Sequence, residues 1–101
     1  AVFEEGMVTT DEPGIYIEGK YGIRLENELV CQKGEKNEYG QFMYFENLTY
    51  VQFDLDAIDP KQMTEVEKKR LNDYHANVYK VVSPYLQGEE LAWLKEATRA
   101  I

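Results

Sequence analysis

The stretch Asp11-Glu12-Pro13-Gly14-Ile15-Tyr16-Ile17-Glu18-Gly19-Lys20-Tyr21-Gly22-Ile23-Arg24-Leu25-Glu26-Asn27 decides the fold of the first half of the chain. Ile15-Tyr16-Ile17 and the run that begins at Tyr21 are β-branched and aromatic, which predicts strands. Glu18-Gly19-Lys20 between them reads as a hairpin turn, with Gly19 free to take a positive φ. Pro13 drives Glu12 into extended backbone, and Gly14 lets the chain turn without steric cost. Residues two apart on a strand share a face, so Arg24 and Glu26 point together, with Glu28 beyond them. Glu12 and Glu26 lie at similar distances on either side of the hairpin tip, which predicts a near cross-strand register.

Two carboxylates brought together in a buried place repel unless a cation or a proton lies between them. A carboxylate held in a fixed direction is also what hard divalent cations require of an oxygen ligand. Each motif alone has an ordinary reading. Glu12-Pro13-Gly14 is then a β-turn with an exposed glutamate, and Arg24 with Glu26 is an ion-pair ladder on a surface strand. Against the ladder, Ile23, Leu25, Leu29 and Val30 make the strand apolar beyond one face and predict burial on both sides. A buried Arg–Glu pair is costly unless further partners satisfy it.

Working outward, residues 6–10 read as a short strand and residues 21–33 as one long strand. Residues 34–40, polar and bounded by two glycines, read as a loop. Residues 42–45 and 48–53 are aromatic and β-branched and read as further strands, with a tight turn or bulge at Glu46-Asn47. Residues 54–60 form a connector. Thr64 precedes Glu67 by the spacing of a capping box. The helix that follows carries Leu71, Tyr74, His75, Val78 and Val82 on one stripe. Ser83-Pro84 ends it, because a residue before proline leaves the α region. Gly88 opens a second helix with Leu91, Leu94 and Ala97 on one face. The class is α+β: a hairpin and short antiparallel strands, then two amphipathic helices.

A chain of 101 residues makes one domain at most. Its 8 Tyr, 4 Phe and 1 Trp supply a core and exclude wholesale disorder. A net charge of −8 argues against nucleic acid and anionic membranes as partners. No apolar run approaches the length of a membrane span. Cys31 is the only cysteine, so no intramolecular disulfide forms, and a reducing, cytoplasmic setting is expected. Cys31 itself reads as a small buried hydrophobe, and His75, the only histidine, as a packed helix residue rather than a ligand. Trp93 reads as a core or interface anchor. The chain opens Ala1-Val2-Phe3 without an initiator methionine and is read as a segment of a longer protein.

Residues 6–16 followed by residues 21–27 resemble the last two metal-ligand motifs of the pita-bread (creatinase-like) metallopeptidases, the group of aminopeptidase P, prolidase and methionine aminopeptidase. The resemblance implies that Glu12 is a metal ligand with a catalytic, proton-relaying role, that Glu26 bridges two metals, and that Arg24 orients the carboxylates. Residues 45–51, 54–59, 71–75 and 92–98 further resemble the C-terminal extension of the long, three-domain aminopeptidases P. Residues 1–45 would then end the catalytic domain and residues 46–101 form the extension. The implied activity is hydrolysis of an N-terminal Xaa-Pro bond, with two divalent ions, Mn²⁺ first and Zn²⁺ or Co²⁺ as alternatives. Two carboxylates alone hold no such pair tightly, so the isolated chain is expected to be inactive. Expected partners are peptides with proline at the second position and a second copy in a homodimer. The alternatives are a prolidase acting on dipeptides, or a non-catalytic dimerisation module.

Overall fold

The computed structural model describes residues 1–101. The chain divides into two units, residues 1–49 and 50–101, each treated in turn.

The first unit is all β. The strands are β1 (Val8–Asp11), β2 (Gly14–Ile17), β3 (Tyr21–Arg24), β4 (Asn27–Asn37) and β5 (Gly40–Asn47). β1, β4 and β5 form one antiparallel sheet in that order, and β2 pairs antiparallel with β3. Gly19 turns the β2–β3 hairpin at φ +69°, where a side chain would be strained. A single register runs through both sheets, from Val8 opposite Val30 to Ile17 opposite Tyr21. The long strand expected over residues 21–33 is nevertheless two strands. Pro13 is the cause. It accepts from the Leu25 N–H at 3.1 Å but has no N–H to return, so the ladder lapses at Leu25-Glu26.

Three further expectations are corrected. Of residues 34–40, expected as a loop, only Glu38 and Tyr39 form a turn. β4 continues to Asn37, and one extra residue at Gly34-Glu35 bulges opposite Phe42. The Gln41 side-chain amide supports the bulge by donating to the carbonyls of Gly34 and Phe42, each at 2.9 Å. Residues 48–53 are not a strand. The Thr49 hydroxyl takes the Glu28 N–H at 2.8 Å and closes the β4–β5 ladder there. Burial on both faces of residues 21–24 is also not observed, since every residue of β2 and β3 is exposed. Cys31, on the central strand, is fully buried as expected.

The second unit is helical: α1 (Glu65–Val82) and α2 (Gly88–Ala97), preceded by two short 3₁₀ turns. The capping box starts α1. The Thr64 hydroxyl accepts from the Glu67 N–H at 3.2 Å, and the Thr64 N–H donates to the Glu67 carboxylate at 2.8 Å. Ser83 stays in the α region (φ −55°, ψ −33°), and the chain leaves it only at Leu86, after a 3₁₀ turn that Pro84 tolerates as an early residue. Proline therefore tightens the end of the helix rather than stopping it one residue earlier.

Leu55, His75, Val78 and Leu94 form the interior of this unit. His75 Nε2 accepts from the Phe53 N–H at 3.0 Å, and the Tyr74 hydroxyl donates to the Val51 carbonyl at 2.6 Å. These bonds lay residues 50–53 along α1. Asn72 exchanges two hydrogen bonds with the backbone of Ile101, at 2.9 and 3.1 Å, and so fastens the tail to α1. Trp93 is 59 % exposed and is not a core residue, whereas its neighbour Leu94 is buried. No helix is long and apolar enough to cross a membrane.

Candidate metal centre

The continuous register sets Glu12 directly opposite Glu26, at the gap where the ladder lapses. The parity of the hydrogen bonds fixes what kind of pair this is. Cys31 N–H bonds to Met7 O and Leu25 N–H to Pro13 O, so odd positions form the hydrogen-bonded pairs and even positions the others. Glu12 and Glu26 are thus a non-hydrogen-bonded pair, the type in which opposed side chains stand closest. Gly14 opposite Arg24 and Tyr16 opposite Gly22 are the next two pairs of the same type, on the same face. The opposite face of the hairpin carries Ile15, Ile17, Tyr21, Ile23 and Leu25.

Arg24 Nε lies 3.3 Å from Glu26 Oε2, with both side chains well exposed. Hydrogen bonding to the Tyr16 hydroxyl, then the carboxylates of Glu26 and Glu12, hold the Arg24 guanidinium above its ordinary pKa. Tyr16 is a component that sequence reasoning missed. Its ring lies back along the strand over two glycines. A Cβ at Gly14 would stand 2.6 Å from the Tyr16 hydroxyl oxygen, and one at Gly22 would stand 2.8 Å from the ring. The signal was present in the two-residue spacing Glu12-Gly14-Tyr16 opposite Gly22-Arg24-Glu26, where bare glycines alternate with functional side chains.

Two opposed carboxylates are hard oxygen donors of the kind a divalent ion such as Mn²⁺ takes. They suit a shared ion, because like charges directly opposite destabilise a strand pair until something neutralises them. They are a partial donor set, for no group of three or more His, Cys, Asp or Glu side chains gathers anywhere in the chain. His75 is excluded as a third ligand by its burial and by its bond to Phe53.

The chain thus brings together a β-hairpin with opposed glutamates and a guanidinium beside them, followed in sequence by a two-helix unit. Comparison with known proteins specifies the class. The model of metallopeptidase family M24 matches residues 1–33, and the model of the C-terminal region of peptidase M24 matches residues 41–101. The chain belongs to the M24 metallopeptidases. A protein of Arthroderma benhamiae named "Probable Xaa-Pro aminopeptidase P" is 41 % identical over 99 residues, covering 93 % of this chain and 14 % of its own length. Aminopeptidase P1 of Arabidopsis thaliana is 37 % identical over 98 residues, covering 94 % and 15 %. Among solved structures, the X-prolyl aminopeptidase of Caenorhabditis elegans, described as a cytosolic enzyme with a di-nuclear active site, matches with a TM-score of 0.81 at 36 % identity. That match covers 98 % of this chain and 17 % of that one. The chain therefore spans about a sixth of the length of these relatives. The α+β class expected for a part of a pita-bread metallopeptidase agrees with these matches and with the observed elements.

Proposed function

We propose that this chain supplies the last two carboxylate ligands of a dinuclear Xaa-Pro aminopeptidase, an enzyme that hydrolyses the first peptide bond of peptides with proline at the second position. The observation that carries the reading is the closest-type pairing of Glu12 with Glu26, with Arg24 in contact with Glu26. Glu26 is assigned as the ligand shared between two ions and Glu12 as a ligand to one of them. When bound, such ions acidify water and polarise the scissile carbonyl, and Mn²⁺ is the proposed metal. Arg24 restrains Glu26 through its 3.3 Å contact, and the Tyr16 hydroxyl restrains Arg24 in turn. Glu12, the exposed member of the pair assigned to one ion, would accept the proton of the attacking water and return it to the departing nitrogen. Residues 1–45 are assigned to the catalytic domain and 46–101 to its C-terminal extension. A cytoplasmic homodimer is proposed for the whole enzyme, supported by the single buried thiol and by the cytosolic description of the C. elegans relative.

The test is a chimera. Residues 1–101 replace the matching segment of the C. elegans X-prolyl aminopeptidase, and cleavage of a Xaa-Pro peptide is measured with Mn²⁺. The chimera is expected to cleave, and its Glu12→Gln and Glu26→Gln variants, folded by circular dichroism, are expected to lose the activity. A folded chimera with two metals bound and no Xaa-Pro cleavage would overturn the assignment. The 101-residue chain alone, given the same peptide and Mn²⁺, is expected to show no turnover above a metal-only blank.

A further inference from the structure

Residues 50–53 belong to no strand or helix, and two side chains of α1 hold them. The Tyr74 hydroxyl donates to Val51 O at 2.6 Å, and His75 Nε2 accepts from the Phe53 N–H at 3.0 Å. A nitrogen that accepts from an N–H carries no proton, so the neutral ring carries its proton on Nδ1. That Nδ1 is buried and has no partner. One nitrogen of His75 therefore works as an acceptor, while the other is a buried donor with nothing to receive it, which weakens the closed arrangement. Val51 is exposed and Phe53 only half-buried, so water reaches the segment as soon as it lifts.

We propose that residues 50–53 are an acid-released strap, with the neutral His75 imidazole as its catch. A proton taken from solvent at Nε2 leaves the ring with two N–H donors and no acceptor. The Phe53 N–H then faces another donor, and a positive charge is buried in an interior built from Leu55, Val78 and Leu94. Lifting the strap lets water reach both ring nitrogens and relieves both penalties. The strap follows Thr49, whose hydroxyl takes the last bond of the β4–β5 ladder from the Glu28 N–H, and it enters the helical unit. Its release therefore lengthens the free connector that joins the two units in sequence.

No neighbouring group offsets the added charge. On α1, Asp73 pairs with Lys69 and the Tyr74 hydroxyl is turned to Val51. Beyond the strap, Asp54 accepts from the Asp56 N–H. Asp56 and, on α2, Glu96 both pair with Arg99. Phenols such as Tyr50 and Tyr79 gain no charge on acidification. Burial is the only cause that acts on the imidazole, and it lowers the pKa. The sign follows: the closed strap is fully supported above the ordinary histidine value and loses support as pH falls below it. The strap needs no metal and does not depend on the peptidase reading.

The test is amide exchange of the 101-residue chain from pH 7 downward, read as protection factors, with the imidazole nitrogens followed by NMR. Wild type is expected to carry the ring proton on Nδ1 at neutral pH. Its Phe53 amide is expected to be less protected than the Val78 amide, which exchanges only when α1 opens. Below about pH 6.5 the Phe53 protection is expected to fall by up to about tenfold per pH unit, as uptake of one proton on opening requires. In His75→Gln the side-chain oxygen can still take the Phe53 N–H but does not titrate, so protection should not change with pH. A ring protonated on Nε2 at neutral pH would overturn the proposal, and so would wild-type protection that ignores pH. A Phe53 amide as protected as that of Val78 would do the same, since the segment would then open only with the whole unit. So would a pH dependence that survives in His75→Gln. The ring proton and the two wild-type protection factors decide the matter even if His75→Gln fails to fold.

Discussion

The two units are stabilised differently. The helical unit closes on itself: Leu55, His75, Val78 and Leu94 are buried, α1 is capped at its start, and Asn72 fastens the tail. The β unit buries only Cys31 among its hydrophobic side chains and leaves Ile15, Ile23, Leu25 and Phe42 more than half exposed. It is held by backbone ladders, and both faces of its β2–β3 hairpin are open. The contrast teaches that order and burial are separate. Register alone positions Glu12 against Glu26, whereas the helices are positioned by what they bury.

The largest effect should therefore fall on the helical unit. Leu94→Ala deletes a side chain that is only 2 % exposed and should cost about 2–4 kcal/mol. Ile23→Ala, at a site 61 % exposed, should change stability by about 0.5 kcal/mol or less. Urea unfolding followed by Trp93 fluorescence and by far-ultraviolet circular dichroism compares the two. Equal costs would mean that the hairpin carries a core of its own.

Next in size is His75. His75→Phe leaves the Phe53 N–H without its acceptor and should cost about 1–3 kcal/mol. Burial lowers the His75 pKa, so its neutral form belongs to the folded state. The sign follows from linkage. The unfolded chain binds the proton more readily, so the stability that neutral His75 supports is complete above the unfolded value of about 6.5 and is lost as pH falls through the lower folded value. Unfolding midpoints measured from pH 7 downward should show this loss in wild type and lack this contribution in His75→Phe. Coincident profiles would show that His75 is not the group responsible.

The smallest effect should come from the cap. Thr64→Ala removes the hydroxyl that accepts from Glu67 N–H and should cost about 1 kcal/mol. Glu67 is held below its ordinary carboxylate value chiefly by the Thr64 backbone N–H and then by its hydroxyl. The Glu67 titration followed by NMR should therefore rise toward the ordinary value in Thr64→Ala. An unmoved titration would show that the hydroxyl contributes nothing.

Much of this was legible in the sequence, and the failures share a cause. The β2–β3 hairpin, the capping box and the apolar stripe of α1 follow from local chemistry: a glycine turn, a threonine three before a glutamate, and helical periodicity. The pairing of Glu12 with Glu26 followed because hairpin register is counted from its turn. The break at Leu25-Glu26 did not, because Pro13 on the facing strand causes it. Residues 34–40 read as a loop because two glycines and three charges punctuate them, yet pairing with β5 and the Gln41 amide keep residues 34–37 extended and leave only Glu38 and Tyr39 as the turn. Residues 48–53 read as a strand because they are aromatic and β-branched, but their partners are Glu28, Tyr74 and His75 rather than a strand. Tyr16 was missed because its role lies in where the ring rests, which composition does not record. The exposure of β2 and β3 was missed because an apolar sequence states what a strand can bury, not what is there to cover it.

The central claim is that Glu12 and Glu26 are one ligand pair with unequal duties. It is tested most directly by metal content, measured by plasma mass spectrometry on the C. elegans chimera and its Glu12→Ala and Glu26→Ala variants after dialysis against limiting Mn²⁺. A ligand shared by two ions serves both, and a ligand to one ion serves one. The account predicts that Glu26→Ala retains less metal per subunit than Glu12→Ala, and that both retain less than the parent chimera. Loss of both ions in Glu12→Ala with full occupancy in Glu26→Ala would contradict it.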